Sequence, residues 1–205
     1  MRYRAIAVPA STIDGQWFDV NDPGWAYVDE PRPVVSGNAY GMEFGLRGTH
    51  ANGVFWAEFI DSNMGAGYWD DVEEPADHLD GKWITPTAGF GLVAVGGDAL
   101  YEVHLLSAGQ TGGRVNLSFV AGGGLGVGVV VGRLDQWNPD DFGNPAYKRF
   151  LDGKPADEAA KIPPILPILD VLLGLRLSMG ERWTVRGEGG IHGALSGGLS
   201  TTVLL

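Results

Sequence analysis

GGRVNLSFVAGGGLGVGVVVGR, residues 112–133, carries two different faces. Its odd positions are Val115, Leu117, Phe119, Ala121, Gly123, Leu125, Val127, Val129 and Val131. Its even positions run Arg114, Asn116, Ser118, Val120, Gly122, Gly124, Gly126, Gly128, Val130 and Gly132. One set is apolar; the other is mostly small or polar. A face that repeats every two residues belongs to a β-strand. A helix is disfavoured, because each interior glycine would cost about 0.5–1 kcal/mol. The strand is far longer than the usual ~5–6 residues. A strand of that length with a continuous apolar face needs either a large packed core or lipid.

The surrounding composition narrows the class. The chain has 205 residues, of which 33 are glycine and 44% hydrophobic. That is enough for one domain and excludes a disordered chain. Without cysteine there is no disulfide scaffold, thiolate zinc site or cysteine nucleophile. A net charge of −11 disfavours nucleic acid and anionic membrane surfaces as partners. No run of about 18 apolar residues is present, so no transmembrane helix is expected. The nearest candidate, Ile162 to Leu177, is short and holds Pro163, Pro164 and Pro167. The opening MRYRAIAVPA lacks the apolar core of a signal peptide. The sequence thus reads either as a protein that is not exported or as a mature form.

Eight strand-like segments follow along the chain: about 2–10, 38–48, 54–60, 88–107, 112–133, 166–178, 183–192 and 194–205. The first has ambiguous faces. In the second, Tyr40, Met42, Phe44 and Leu46 oppose Gly41, Glu43, Gly45 and Arg47. Asn52-Gly53 is a strong hairpin signal, and a two-residue turn there pairs Ala51 with Val54 and Arg47 with Glu58. That register sets opposite charges against each other, and points Phe55, Ala57 and Phe59 outward. The segment 155–161, PADEAAK, is compatible with a turn or two of helix.

The connections alternate between long (11–37, 61–86, 134–165) and short (49–53, 108–113, 179–181), with a last tight turn near Gly193. Transmembrane β-barrels have this asymmetry, with short turns on one side and longer loops outside. The three long loops hold 18 acidic and 6 basic residues, so nearly all the net charge lies in them. The strands carry balanced charge on one face. The expected fold is therefore all-β: one antiparallel up-and-down transmembrane barrel of about eight strands, covering 1–205. A barrel of that size is just wide enough for side chains to fill. Its lumen would hold Glu43, Arg47, Glu58, Asp98, Glu102, Arg114, Asp170, Arg176, Arg186 and Glu188. These should pair, because an unpaired buried charge costs several kcal/mol. The lumen reads as narrow and salt-bridged. The glycines of 112–133 would leave either a hollow or room for arginines opposite.

VLLGLRLSMGERWTVRGEGG (171–190) and AGGGLGVGVVVGRLD (121–135) resemble the strands of small outer-membrane barrels of Gram-negative bacteria, with an OmpA-like or OmpW-like pattern. The resemblance covers about 38–205 and is a pattern rather than a motif. It implies the bacterial outer membrane, lipid as a partner and a monomer, but no named activity. Two features depart from it. The chain ends Val203-Leu204-Leu205, where such proteins usually carry an aromatic residue. Most Trp and Tyr also fall in loops: Trp17, Trp25, Tyr27, Tyr68, Trp69, Trp83, Trp137 and Tyr147.

A rival fold is a soluble lipocalin-like barrel with inverted faces, which would bind an apolar ligand inside. The small, lysine-poor polar face argues against it, since Lys occurs only at 82, 148, 154 and 161. Asp70, Asp71, Glu73, Glu74, Asp77 and Asp80 lack the spacing of an EF-hand, so no metal is expected. His50 and His78 read as surface residues. His104 and His192 lie on polar faces. Ser107 falls on the face opposite His104 and lacks a nucleophile elbow, so no catalytic residue is assigned. No cofactor motif is present. The functional expectation is a non-enzymatic outer-membrane barrel with a structural or surface-interaction role, whose acidic loops would meet an extracellular partner. The alternative is a passive route for small apolar molecules through a lumen hollow or side opening, as OmpW-like barrels suggest.

Overall fold

The long glycine-rich strand becomes the wall between two equally long neighbours. A computed structural model describes residues 1–8, 35–48, 51–69, 82–109, 114–137, 155–156, 158–159, 162–180 and 183–203. In chain order the strands are β1 (Arg2–Ala7), β2 (Ser36–Arg47), β3 (Ala51–Ser62), β4 (Gly67–Trp69), β5 (Lys82–Pro86) and β6 (Gly91–Ala108). Then come β7 (Val115–Val131), β8 (Leu134–Trp137), β9 (Glu158–Ala159), β10 (Ile165–Met179), β11 (Trp183–His192) and β12 (Ala194–Val203). Eight of these close a barrel in the order β1-β2-β3-β6-β7-β10-β11-β12, with β12 returning to β1. Every neighbouring pair in it is antiparallel. All eight expected strands are present, the uncertain first one included.

The faces follow the period of two. Tyr3, Tyr40, Phe44, Phe55, Tyr101, Phe119, Leu125, Leu173, Trp183 and Leu199 are exposed large apolar residues, and every barrel strand contributes at least one. Arg2, Arg4, Glu43, Glu58, Asp98, Asp170, Arg186 and His192 are buried. Apolar outside and charged inside is the reverse of a lipocalin. The wall also carries more outward aromatics than a count of loop Trp and Tyr implies. The lumen is not uniformly polar: Val54, Leu100, Val120 and Leu172 form one apolar cluster within it. A second holds Ile6, Ala39, Trp56, Ile60, Ala94 and Ile168.

Two local expectations are corrected. The β2–β3 hairpin does not turn at Asn52-Gly53. Arg47 pairs with Asn52, and Glu58 lies opposite Gly41, not Arg47. The turn falls between Arg47 and Ala51. Asn52 is buried in β3, where its side chain accepts from the Gly48 amide at 3.2 Å and donates to Glu102 at 3.0 Å. Those two bonds outweigh the local turn preference. Glu58 shifts its partner by six residues, an even number, so every side chain keeps its face and Phe55, Ala57 and Phe59 do point outward. Second, Glu158–Ala159 is a strand, not helix. Within the long connections, β4-β5-β8-β9 form a separate four-stranded sheet, with Trp83 opposite Trp137. Trp17, Trp25, Tyr27, Tyr147, Leu204 and Leu205 lie outside the described residues.

The glycines of β7 hold neither a hollow nor arginines: Gly126, with Gly96 of β6, accommodates an indole, while Gly122 and Gly124 lie against Leu100 and Asp98. A Cβ on Gly126 would come 2.4 Å from Trp56 Cη2, and one on Gly96 would come 2.2 Å from Trp56 Cζ2. Trp56 leans from β3 over its neighbours β6 and β7, where Gly96 and Gly126 are its lateral partners in register, and its Nε1 donates to Asp98 at 3.0 Å. Overpacking such a contact typically costs about 1–3 kcal/mol. Gly126→Ala should lower unfolding stability by about that amount in urea titrations of the refolded protein. Combined with Trp56→Phe, the loss should be smaller than the sum of the two single losses, because one contact is shared.

Candidate functional site

Six lumen carboxylates meet four arginines and one histidine. The carboxylates are the six expected from the strand faces: Glu43, Glu58, Asp98, Glu102, Asp170 and Glu188. The arginines are Arg2, Arg4, Arg176 and Arg186. Arg2 and Arg4 stand on β1 at alternate positions and are 3% and 1% exposed. Neither was among the lumen residues expected from the strand faces. Arg47 lies on β2, but its side chain lies outside the described residues. Arg114 precedes β7, is exposed, and donates to Ser107 Oγ at 2.9 Å.

Glu188 is the hub. Its Oε1 accepts from Arg4 Nε at 2.7 Å and Arg2 Nε at 3.4 Å, and its Oε2 accepts from Arg186 Nε at 2.6 Å. Arg186 also reaches Glu43 at 2.7 Å, and Glu43 accepts from Thr202 Oγ1 at 2.5 Å. Asp170 takes Arg4 at 2.9 Å, Arg2 at 3.1 Å and His192 Nδ1 at 3.2 Å. His192 Nε2 contacts Glu58. Arg2 lies 3.6 Å from Asp98 and stacks over the Trp56 ring at 5.5 Å. The His192 ring meets the Trp56 ring edge-on at 5.0 Å. Arg176 pairs with Glu102 at 2.8 Å toward the short-turn end.

This layer spans the lumen. Its members come from seven of the eight barrel strands: β1, β2, β3, β6, β10, β11 and β12. β7 contributes only the glycines that admit Trp56. Below the layer, toward the short turns, remains a cavity of about 20 Å³, room for about one water. Above it, at the long-loop end, is a cavity of about 390 Å³ lined by Ile6, Ile60, Leu92, Val130, Ile168 and, on its floor, His192. The barrel is thus blocked at its middle and hollow at one end.

Ser107 lies beside His104, not on the opposite face. The β6–β7 register slips between His104 and Leu106, so Leu105 is an extra residue and both leucines are exposed. The bulge returns Ser107 to the face of His104, and the Oγ–Nε2 distance is 2.8 Å. The same Oγ lies 2.8 Å from Asn116 Oδ1. The hydroxyl donates its one proton to Asn116 and accepts from Arg114, and whether His104 Nε2 donates to it depends on the imidazole tautomer. The cluster is exposed at the short-turn end. His50, His78 and the acidic run from Asp70 to Asp80 lie outside the described residues. Among the described residues, no group of His, Asp and Glu is arranged to hold a metal ion.

Reading the sequence missed Arg2, Arg4 and the indole that packs on Arg2 and His192. Arginines at alternate positions beside Tyr3 carried the signal, but only barrel closure shows which way β1 faces. No protein-family model, curated protein or solved structure matches the chain. Removing one partner of a buried ionic cluster costs about 3–5 kcal/mol. Glu188→Gln, which leaves three guanidiniums short of charge, should lower unfolding stability by that amount. Glu102→Gln, at the half-buried Arg176 pair, should cost clearly less in the same denaturant titration.

Proposed function

We propose that the chain is a small monomeric outer-membrane β-barrel of the OmpA-like or OmpW-like kind, non-enzymatic, with a lumen closed to water and ions. The observation that carries this reading is the apolar outer face present on all eight barrel strands. Soluble monomers rarely expose contiguous apolar patches beyond a few hundred Å². Lipid would cover this face, and barrel closure satisfies the backbone groups that lipid cannot. The buried ionic layer supports the closed lumen: most of its charges are held by two or more partners, and ion passage would require breaking them. With no axial route, the functional surface falls to the loops, whose excess of acidic residues suits a basic or cation-bridged partner outside the cell. An end-to-end path for apolar molecules down the lumen axis is disfavoured by the same layer.

Refolded in detergent micelles, the protein should show strand-type circular dichroism and a mobility on SDS gels that shifts on boiling. In planar bilayers it should give no sustained conductance above background. A folded monomer that needs no detergent and shows no shift would overturn the membrane reading. Steady conductance would overturn the closed lumen. Fatty-acid release from lipopolysaccharide that is lost in His104→Ala would overturn the non-enzymatic reading.

A further inference from the structure

The two ends of the barrel differ in charge. The long loops carry nearly all the net negative charge. The short connections, 47–50, 108–114 and 180–182, hold three arginines and one glutamate. A soluble anion is therefore repelled from the long-loop end and drawn to the other.

At the short-turn end, β6 and β7 carry a feature that a plain wall does not need. The ladder slips at Leu105 and leaves Leu105 and Leu106 both exposed. Bulges occur at barrel rims, where they re-aim a side chain. The side chain re-aimed here is Ser107, brought back to the lumen face. Asn116 is its partner in register, and Ser118 stands opposite His104. By the two-residue alternation Arg114 shares the face of Asn116. Ser107 Oγ then gathers three groups: Arg114 at 2.9 Å, Asn116 at 2.8 Å and His104 Nε2 at 2.8 Å.

Arg114 is held at both its backbone and its tip. Its carbonyl accepts from the Gly180 amide at 2.9 Å, which ties the start of β7 to the turn after β10. Its guanidinium rests on a neutral hydroxyl although the side chain is exposed. No carboxylate pairs with it among the described residues. Glu102, two residues from His104 on the same face, is engaged by Arg176 at 2.8 Å and by Asn52 at 3.0 Å. A hydrogen bond to a neutral group adds little for an exposed cation that water solvates well. What the contact does supply is a fixed position, which a ligand then need not impose.

The cluster has donors to spare and no acceptor of matching strength. The Ser107 proton goes to Asn116 Oδ1. The rest of the Arg114 fork and the Asn116 amide N–H groups remain, and both only donate. They flank Ser107 from two sides. A carboxylate would be satisfied by the fork alone, whereas a phosphate keeps a further oxygen for Asn116.

We infer that the short-turn rim of the lumen is a binding site for a soluble phosphate group, free or as a monoester. Arg114 and Asn116 hold its oxygens, and Ser107 and His104 are the frame that positions them. The cluster faces the lumen and not the lipid side of the wall, so the ligand comes from solution and not from a lipid headgroup. The inference goes beyond the proposed function by giving the closed barrel a second recognition surface, opposite the acidic loops. It needs only the barrel, so it stands or falls separately from the membrane reading.

Phenylglyoxal modifies accessible guanidiniums, and mass spectrometry of peptides reads each arginine separately. Arg2, Arg4 and Arg186 are buried, and Arg133, 65% exposed at the long-loop end, is the internal control. In dodecyl maltoside micelles both ends are open to solution. Millimolar glycerol 3-phosphate should slow modification of Arg114 at least about five-fold over sodium chloride of equal ionic strength, and leave Arg133 unchanged. Acetate should protect clearly less. Ser107→Ala, at an exposed position, should lose most of the protection while keeping the heat-dependent mobility. If it disturbs the bulge, His104→Gln carries the same expectation. No protection of Arg114, or equal slowing of Arg133, would overturn the site. Full protection in a correctly folded Ser107→Ala would reduce it to a lone arginine and overturn the cluster. Acetate as effective as the phosphate would overturn the ligand class. Protection by micelles containing phosphatidylglycerol, without protection by glycerol 3-phosphate, would assign the arginine to lipid and overturn the soluble ligand.

Discussion

Glu188 holds the barrel shut. Its two oxygens take guanidinium groups from β1 and from its own strand, β11. Asp170 on β10 takes the same two β1 arginines. The seam where the last strand meets the first is therefore clamped from inside by charge. β1 has only six residues, too few to hold its place by backbone pairing alone as securely as the 17 of β7. Arg2 and Arg4 compensate by burying two guanidiniums where several carboxylates wait. A charge-assisted hydrogen bond is roughly twice as strong as a neutral one, and here each replaces solvation already lost. Remove the cluster and β1 has little reason to close the ring.

The rest of the interior is arranged around that layer. Trp56 roofs it, offering its N–H to Asp98 and its ring to Arg2 and His192. The glycines at 96 and 126 leave room for the indole over the two strands beside its own. Above this roof the lumen changes character and becomes aliphatic. Polar plug and apolar chamber are thus two levels of one stack, separated by one tryptophan and one histidine.

The sequence exposes its own architecture where a physical period is long and clean. β7, β10 and β2 show which residues face out, because apolar and small residues alternate over ten or more positions. It exposes less where a local preference competes with a distant contact. Asn52-Gly53 favours a turn, but the amide of Asn52 is worth more between Gly48 and Glu102. A single inserted residue at Leu105 moves Ser107 across the wall, and nothing in the alternation marks it. The short β4, β5, β8 and β9 pair with each other across long separations, so no local signal announces them.

What the sequence determined by itself is the all-β class, the eight strands, the outward apolar face and the six lumen carboxylates. All of these follow from a side-chain period of two, a property each strand carries alone. Only the tertiary structure decided which cations answer those carboxylates and what fills the space over Gly96 and Gly126. Each depends on register between strands far apart in the chain. Register is set by the sum of contacts around a closed ring, which no single strand contains.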